Sequence, residues 1–535
     1  MKTYFRKSAL ILFISGISAI LSGMYINESL QSDTTQYTVY YIDSKEGNDD
    51  NPGISVIEPW KSLSMIGTIT LNPGDSIRFK RGSSFIGPLF INQSGVQNNY
   101  ITLTDYGLQT DPAPAFTNPI FKQGNFGNCI RLKGSYIIIE NLFFHNTAAF
   151  IDGNYTSDGG WIVWEMGAIY IDKGARNCIV RNNEMFDCVA GIRSYGEGAL
   201  IEGNYIHDCN RPLKMWNWGP KGIWLGGNYQ TVRNNRVFNM IIMDPNMKSD
   251  GSGGGAFEID DGRFPKSHIN ISYNYTRENH GFLEVVFNDV VPDPLYENFI
   301  ISYNVADDYQ SFVKLRKSIN CIVDNNTIVR RRINTNEAGV FVLKNDNVRD
   351  IFRNNIIVMA PGVRVFGFNG GTPNITVQNN LFYSLGTSIN YGDGNKGTSA
   401  IIGDPGFVNF GLDNDLPDFA LEQGSPAINK GLKLGYSSDI MKNMLSGIPE
   451  LGAIEYIEAL GFSSTKSHKL KIFPNPVIDI LYIEGITDRA KLKVYNAMGV
   501  LVATGTGNNI NVSFLNSGLY ILVTDNSAGI PFTKK

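Results

Sequence analysis

Cysteine is scarce in this 535-residue chain: there are five, and no two are set in a CxxC spacing. A cysteine-ligated metal centre is therefore excluded. An odd number also leaves at least one thiol unpaired, so Cys178, Cys188, Cys209 and Cys321 are expected as small buried fillers, with one disulfide open to them. Charge is scarce too. Charged residues make up 18% of the chain and the net charge is −4, without the basic stripe that general nucleic-acid binding requires. After the N-terminus no segment is long and apolar enough to cross a bilayer as a helix, so no transmembrane segment is expected in the mature chain. Low charge together with 56 glycines suits strands and turns more than long helices.

The N-terminus is the one apolar exception. "MKTYFRKSALILFISGISAILSGM" places Lys2, Arg6 and Lys7 before an apolar run and ends in small residues. This predicts a secretory signal peptide over about residues 1–24, without a nearby Cys to carry a lipid anchor.

A refrain then recurs: an apolar strand ending in Asn, as in "CIVRNNEMFD", "INISYNYTRE" and "CIVDNNTIVR". Its last Asn falls at Asn183, Asn204, Asn235, Asn274, Asn304, Asn326, Asn355 and Asn380, with successive steps of 21, 31, 39, 30, 22, 29 and 25 residues. The shortest steps correspond to one coil of three strands and three turns, and the longer ones to a coil with an inserted loop. Asn suits such a turn because it can bond the backbone, tolerate the left-handed region and stack from coil to coil. The segment resembles the right-handed parallel β-helix of the pectate-lyase-like superfamily, whose members include secreted polysaccharide-active enzymes. The resemblance implies an all-β solenoid over about residues 37–456. "YYIDSKEGNDDNPG" at its start and "GDPGFVNF" to "PELGAIEY" at its end resemble the entry and closing segments of such enzymes.

A second refrain, "GAIYIDKG", "GIRSYGEG", "GIWLGGN", "AFEIDDG", "FLEVVFN" and "FVKLRKS", alternates apolar and variable residues. If the apolar positions face the core, one outward column reads Tyr170, Arg193, Trp224, Glu258, Glu284, Lys314. The next reads Asp172, Tyr195, Gly226, Asp260, Val286, Arg316. A solvated face laced with salt bridges would account for these residues, but so would a site. Five of the six tryptophans, Trp161, Trp164, Trp216, Trp218 and Trp224, fall in or beside the loops next to this face. Together with Tyr170, Arg193 and Tyr195 they are the candidate walls of a sugar-binding groove, although some of the rings are expected in the core.

The acids fix the candidate chemistry. Coils stack about 4.8 Å apart, so Glu258 and Glu284 are placed as a retaining glycosidase pair, while Glu258 and Asp260, about 7 Å apart on one strand, are placed as an inverting one. Asp261 ends the same strand, and His280 precedes Glu284. Equally, Glu258, Asp260 and Glu284 are hard oxygen ligands for calcium, with Lys314 or Arg316 assisting β-elimination of a uronate. That layout resembles β-helix lyases, without a contiguous motif. Arg263 and Arg277 are candidates for binding a substrate anion. The expected function is glycosidic cleavage of a polysaccharide, by hydrolysis or by elimination, and the alternative is a glycan-binding adhesin. No cofactor beyond the calcium of the second mechanism is expected, and the chain is expected to be a monomer.

The last segment restarts in short alternating strands after a linker at about residues 457–469. Its "FPNP", "VYNAMG" and "LNSGLYIL" resemble the type A C-terminal sorting domain of the type IX secretion system in Gram-negative bacteria. This implies a small β-sandwich over residues 470–535, with the secretion machinery as partner.

Overall fold

Short apolar strands punctuated by Asn and Gly turns cannot bury their faces alone, and here they do so by stacking in parallel. The computed structural model describes residues 37–122, 124–151, 165–211, 219–243, 252–259, 265–285, 296–331, 339–344, 347–370, 373–386, 388–410, 419–457, 471–486, 490–496, 501–524 and 527–535. The expected signal peptide lies outside them. Among the described residues, three sheets of 15, 12 and 12 strands wrap one apolar interior, parallel throughout except where Ile241–Met243 pairs antiparallel with Ser252–Ile259 in the third. This is a right-handed parallel β-helix, as the sequence predicts. A short 3-10 helix, Leu63–Thr68, buries Ile66 near its start.

The asparagine ladder is continuous. The backbone N–H of each ladder Asn donates to the Oδ1 of the next, from Asn183 through to Asn380, at 2.9–3.1 Å. The left-handed position, however, belongs to the residue before each ladder Asn. Asn182, Gly203, Asn234, Tyr273, Tyr303, Asn325, Asn354 and Asn379 all have φ between 53° and 65°. Two of these are tyrosines, for which this region is unfavourable. Their rings stack 5.5 Å apart, and Tyr436 packs edge-on against the second.

The closing segment does more than cap an end. Phe407, Phe419, Leu421, Leu451 and Ile454 share a core with Val305, Val329, Ile356, Val358 and Leu381. The segment therefore runs along the outer side of the second sheet, where the Thr327 hydroxyl accepts from the Ala453 N–H and Asn354 exchanges bonds with Leu432. All five cysteines are buried thiols, so the disulfide left open above does not form. Cys188 and Cys209 lie on adjacent coils, and the Cys188 N–H points at the Cys209 sulfur, 3.2 Å away.

In the tail, antiparallel sheets of three and four strands enclose a separate core that includes Val477, Leu492, Val494 and Leu522, forming a small β-sandwich.

Candidate active site

Six strands of the third sheet carry the site: β1 (Ile169–Ile171), β2 (Ala190–Ser194), β3 (Lys221–Leu225), β4 (Ser252–Ile259), β5 (Leu283–Val285) and β6 (Val313–Arg316). Ile169, Ile192, Ile223, Phe257, Leu283 and Val313 are all buried and in register, which fixes the opposite face. On that face Tyr170 pairs with Arg193, Arg193 with Trp224, Trp224 with Glu258, Glu258 with Glu284, and Glu284 with Lys314. The outward column is therefore the one that alternation predicts.

Its upper half is not an open groove. Tyr170 is 5% exposed, Arg193 0% and Trp224 2%. The Arg131 guanidinium lies over the Tyr170 ring at 4.3 Å and is clamped by Glu165 and Asp172, each at 2.6 Å. The Arg193 guanidinium lies over Trp224 at 3.4 Å. Desolvated stacks of this kind are worth about 2 kcal/mol each, and they take up ring faces that the sequence assigned to a sugar. Tyr195 is half-buried beside Tyr170. It lies across Gly226, where a Cβ would meet its ring at 2.2 Å.

The lower half is ionic, and its organising residue was not foreseen. Lys221, the first residue of β3, is buried. Its ammonium donates to the Gly254 carbonyl at 3.0 Å, pairs closely with Glu258, and lies 3.9 Å from Glu284. Lys314 approaches Glu284 from the next coil, at 3.7 Å. Strict alternation groups Lys221 with Ile223 and Leu225; a lysine in an apolar series was the available signal.

The two carboxyl groups are driven apart. Burial raises the Glu258 pKa, helped by the charge of Glu284, and the nearby Lys221 and Arg193 do not fully offset it. Burial acts in the same sense on Glu284, but Lys314, Lys221, His280 and Lys344 outweigh it and pull that carboxyl down to about 2. The Glu284 side chain is 38% exposed, which leaves it in contact with solvent. Burial lowers the Lys221 pKa, and the two glutamates more than restore it. Opposed shifts on paired acids are the pattern of a proton donor beside a permanently ionised partner.

Glu284, Lys221, His280, Lys314 and Gln310 line a small pocket, and Glu258, outside that lining, pairs with Lys221. Arg316 lies farther along β6, in register with Lys344 and outside the pocket lining. Arg277 belongs to a strand of the second sheet and lies 3.9 Å from Glu278. Asp260, Asp261, Arg263, Trp161, Trp164, Trp216 and Trp218 lie outside the described residues. Of the expected calcium set only Glu258 and Glu284 are described, since Asp260 lies outside the described residues. Glu258 and Glu284 converge on an ammonium, and among the described residues no group of three or more His, Cys, Asp or Glu side chains is arranged to hold a metal.

Fold and tail together define an exported β-helix protein. Residues 471–535 match the family described as secretion system C-terminal sorting domain. The tail directs export through the type IX machinery, to the outer surface or beyond it. A lacto-N-biosidase of Bifidobacterium longum subsp. longum is 33% identical over 225 residues, covering 37% of this chain and 13% of that protein's length. Among solved structures, a lacto-N-biosidase of Eubacterium ramulus superposes with a TM-score of 0.49 at 14% identity, covering 68% of each chain. A pectate lyase superposes with a TM-score of 0.46 at 16% identity, covering 78% of this chain and 96% of its own.

Proposed function

We propose that this protein is an extracellular glycoside hydrolase that cleaves an oligo- or polysaccharide at the pocket above Glu284. The observation that carries the reading is the pairing, in register, of two carboxyl groups whose surroundings shift them in opposite directions, Glu258 upward through burial and Glu284 downward through its basic neighbours. In this reading Glu284 is the nucleophile and Glu258 the proton donor. Strands on adjacent coils lie about 4.8 Å apart, so the in-register Glu258 and Glu284 are read as a closely spaced pair of the kind that retains anomeric configuration. The partial relationship to a lacto-N-biosidase supports hydrolysis over elimination.

Elimination is the second reading, favoured by Lys314 beside His280 in the same pocket. One experiment separates the two. The purified protein is incubated with a glycan panel that includes a lacto-N-bioside and uronate polymers, and is read for new reducing ends and for unsaturated uronate by ultraviolet absorbance. New reducing ends without absorbance, abolished by Glu284→Gln, are expected. Absorbance growth would establish the lyase, and binding without cleavage would establish the adhesin.

A further inference from the structure

The expected metal site contains a lysine, and its setting is specific. Lys221 opens β3 in register with Ala190 on one side and Gly255 on the other, so the neighbouring coils place no large side chain at that register. Gly254 has φ +125°, and a Cβ there would meet the Met240 carbonyl oxygen at 2.2 Å, so glycine is required. That backbone turn aims the Gly254 carbonyl at the Lys221 ammonium. A buried ammonium needs hydrogen-bond acceptors and a counter-charge, and this one has the carbonyl, Glu258 and, slightly farther off, Glu284.

We infer that Lys221 is a positioning residue that does here what a divalent cation does in metal-dependent sites: its fixed ammonium gathers the Glu258 and Glu284 carboxyl groups, and cleavage needs no metal. This deepens the proposed hydrolase and rests on it. A divalent ion on the same oxygens would meet the ammonium at contact distance, so lysine and metal are alternatives. Among the described residues, the other charged groups that act on the pair include Arg193 on Glu258, and Lys314, His280 and Lys344 on Glu284. Among the described residues, Lys221 pairs with both acids, and Lys314 pairs with Glu284.

The test uses the full chain and two readouts. The first is melting temperature for wild type, Lys221→Met, Glu258→Gln and the double variant. Lys221→Met is expected to lose the most, because it leaves the buried Glu258 carboxyl group without its partner, and adding Glu258→Gln is expected to recover much of that loss. Additive losses would overturn the pairing, and this readout stands whether or not the protein is a hydrolase. The second is the pH dependence of kcat/KM, measured with and without EDTA. With Lys221 removed, both limbs are expected to move to higher pH by about one unit, equivalent to a tenfold change in proton affinity, since the ammonium favours the ionised form of each acid. EDTA is expected to leave the wild type unchanged. Limbs that keep their pH while activity falls would reduce Lys221 to a structural role, and loss of activity in EDTA restored by calcium would overturn the inference. A wild type inactive on every glycan would remove the hydrolase reading, and the melting experiment would still decide the pairing. If Lys221→Met does not fold, the double variant is compared directly with Glu258→Gln: similar stability supports the pairing, and failure of the double variant as well overturns it.

Discussion

Glu284 is held down against burial by Lys314, Lys221, His280 and Lys344, whereas Glu258, one coil away, is shifted upward by burial. The same competition acts on Asp308, which lies outside the site. Its Oδ1 accepts from the Asn279 backbone and side-chain amides, and its Oδ2 accepts from the Thr276 hydroxyl at 2.6 Å. Burial, with help from the Asp307 charge, raises this acid to about 7 despite those bonds. Between about pH 4 and 7 the folded state therefore holds a proton that the unfolded chain has released, so this group's contribution to stability falls as pH rises through that window. Asp308→Asn supplies the neutral form permanently and keeps an oxygen for Asn279. It is expected to raise the melting temperature at pH 8 and to change it little at pH 5. A larger gain at pH 5 than at pH 8 would refute the assignment. At this scale the sequence was half legible. Glu258, Glu284 and Lys314 fell into one column by alternation alone. The role of Lys221 depends on a main-chain carbonyl turned by Gly254, and residue type does not encode that contact.

At the scale of elements, the coils are held in register by the buried asparagines. Asn304 accepts the Asn274 backbone and side-chain N–H groups and donates to the Ile271 carbonyl and to Asn326. Asn304→Ala strands these partners in the interior, and at about 1–3 kcal/mol for each unsatisfied buried group it is expected to cost 3 kcal/mol or more. Asn380 has a ladder neighbour on one side, Asn355, and donates to the Phe352 carbonyl, so Asn380→Ala is expected to cost less. Urea unfolding of the two variants checks the order, and equal losses would mean that the ladder does not couple the coils. The positions of the ladder could be read from spacing. That the preceding residue takes the left-handed turn could not, because Tyr273 and Tyr303 are poor residues for that backbone and are held there by ring stacking across coils. Nor could the covering of the upper column be read: Arg193 and Trp224 look like surface residues until the guanidinium is seen to lie on the ring.

Across the whole molecule, the solenoid and the tail have separate apolar cores, one built on residues such as Ile192, Ile223 and Phe257, the other on Val494 and Leu522. A chain ending near residue 457 is therefore expected to retain its melting transition and its activity, and to lose only export. Comparison of culture medium and cell fractions for full-length and shortened chains measures this. Loss of folding on truncation would show that the two parts are interdependent. Fold class and export route were both open to sequence reading, because each rests on repeated or contiguous motifs. The reaction was not, because it depends on which charges share one pocket.

Hydrolysis at this site requires Glu258 and Glu284 to act as a close pair. The most direct measurement is the anomeric configuration of the first product, followed by proton NMR in the opening minutes of glycan cleavage. Retention is expected, with Glu284→Gln abolishing product formation. An inverted product, or full activity in Glu284→Gln, would contradict it.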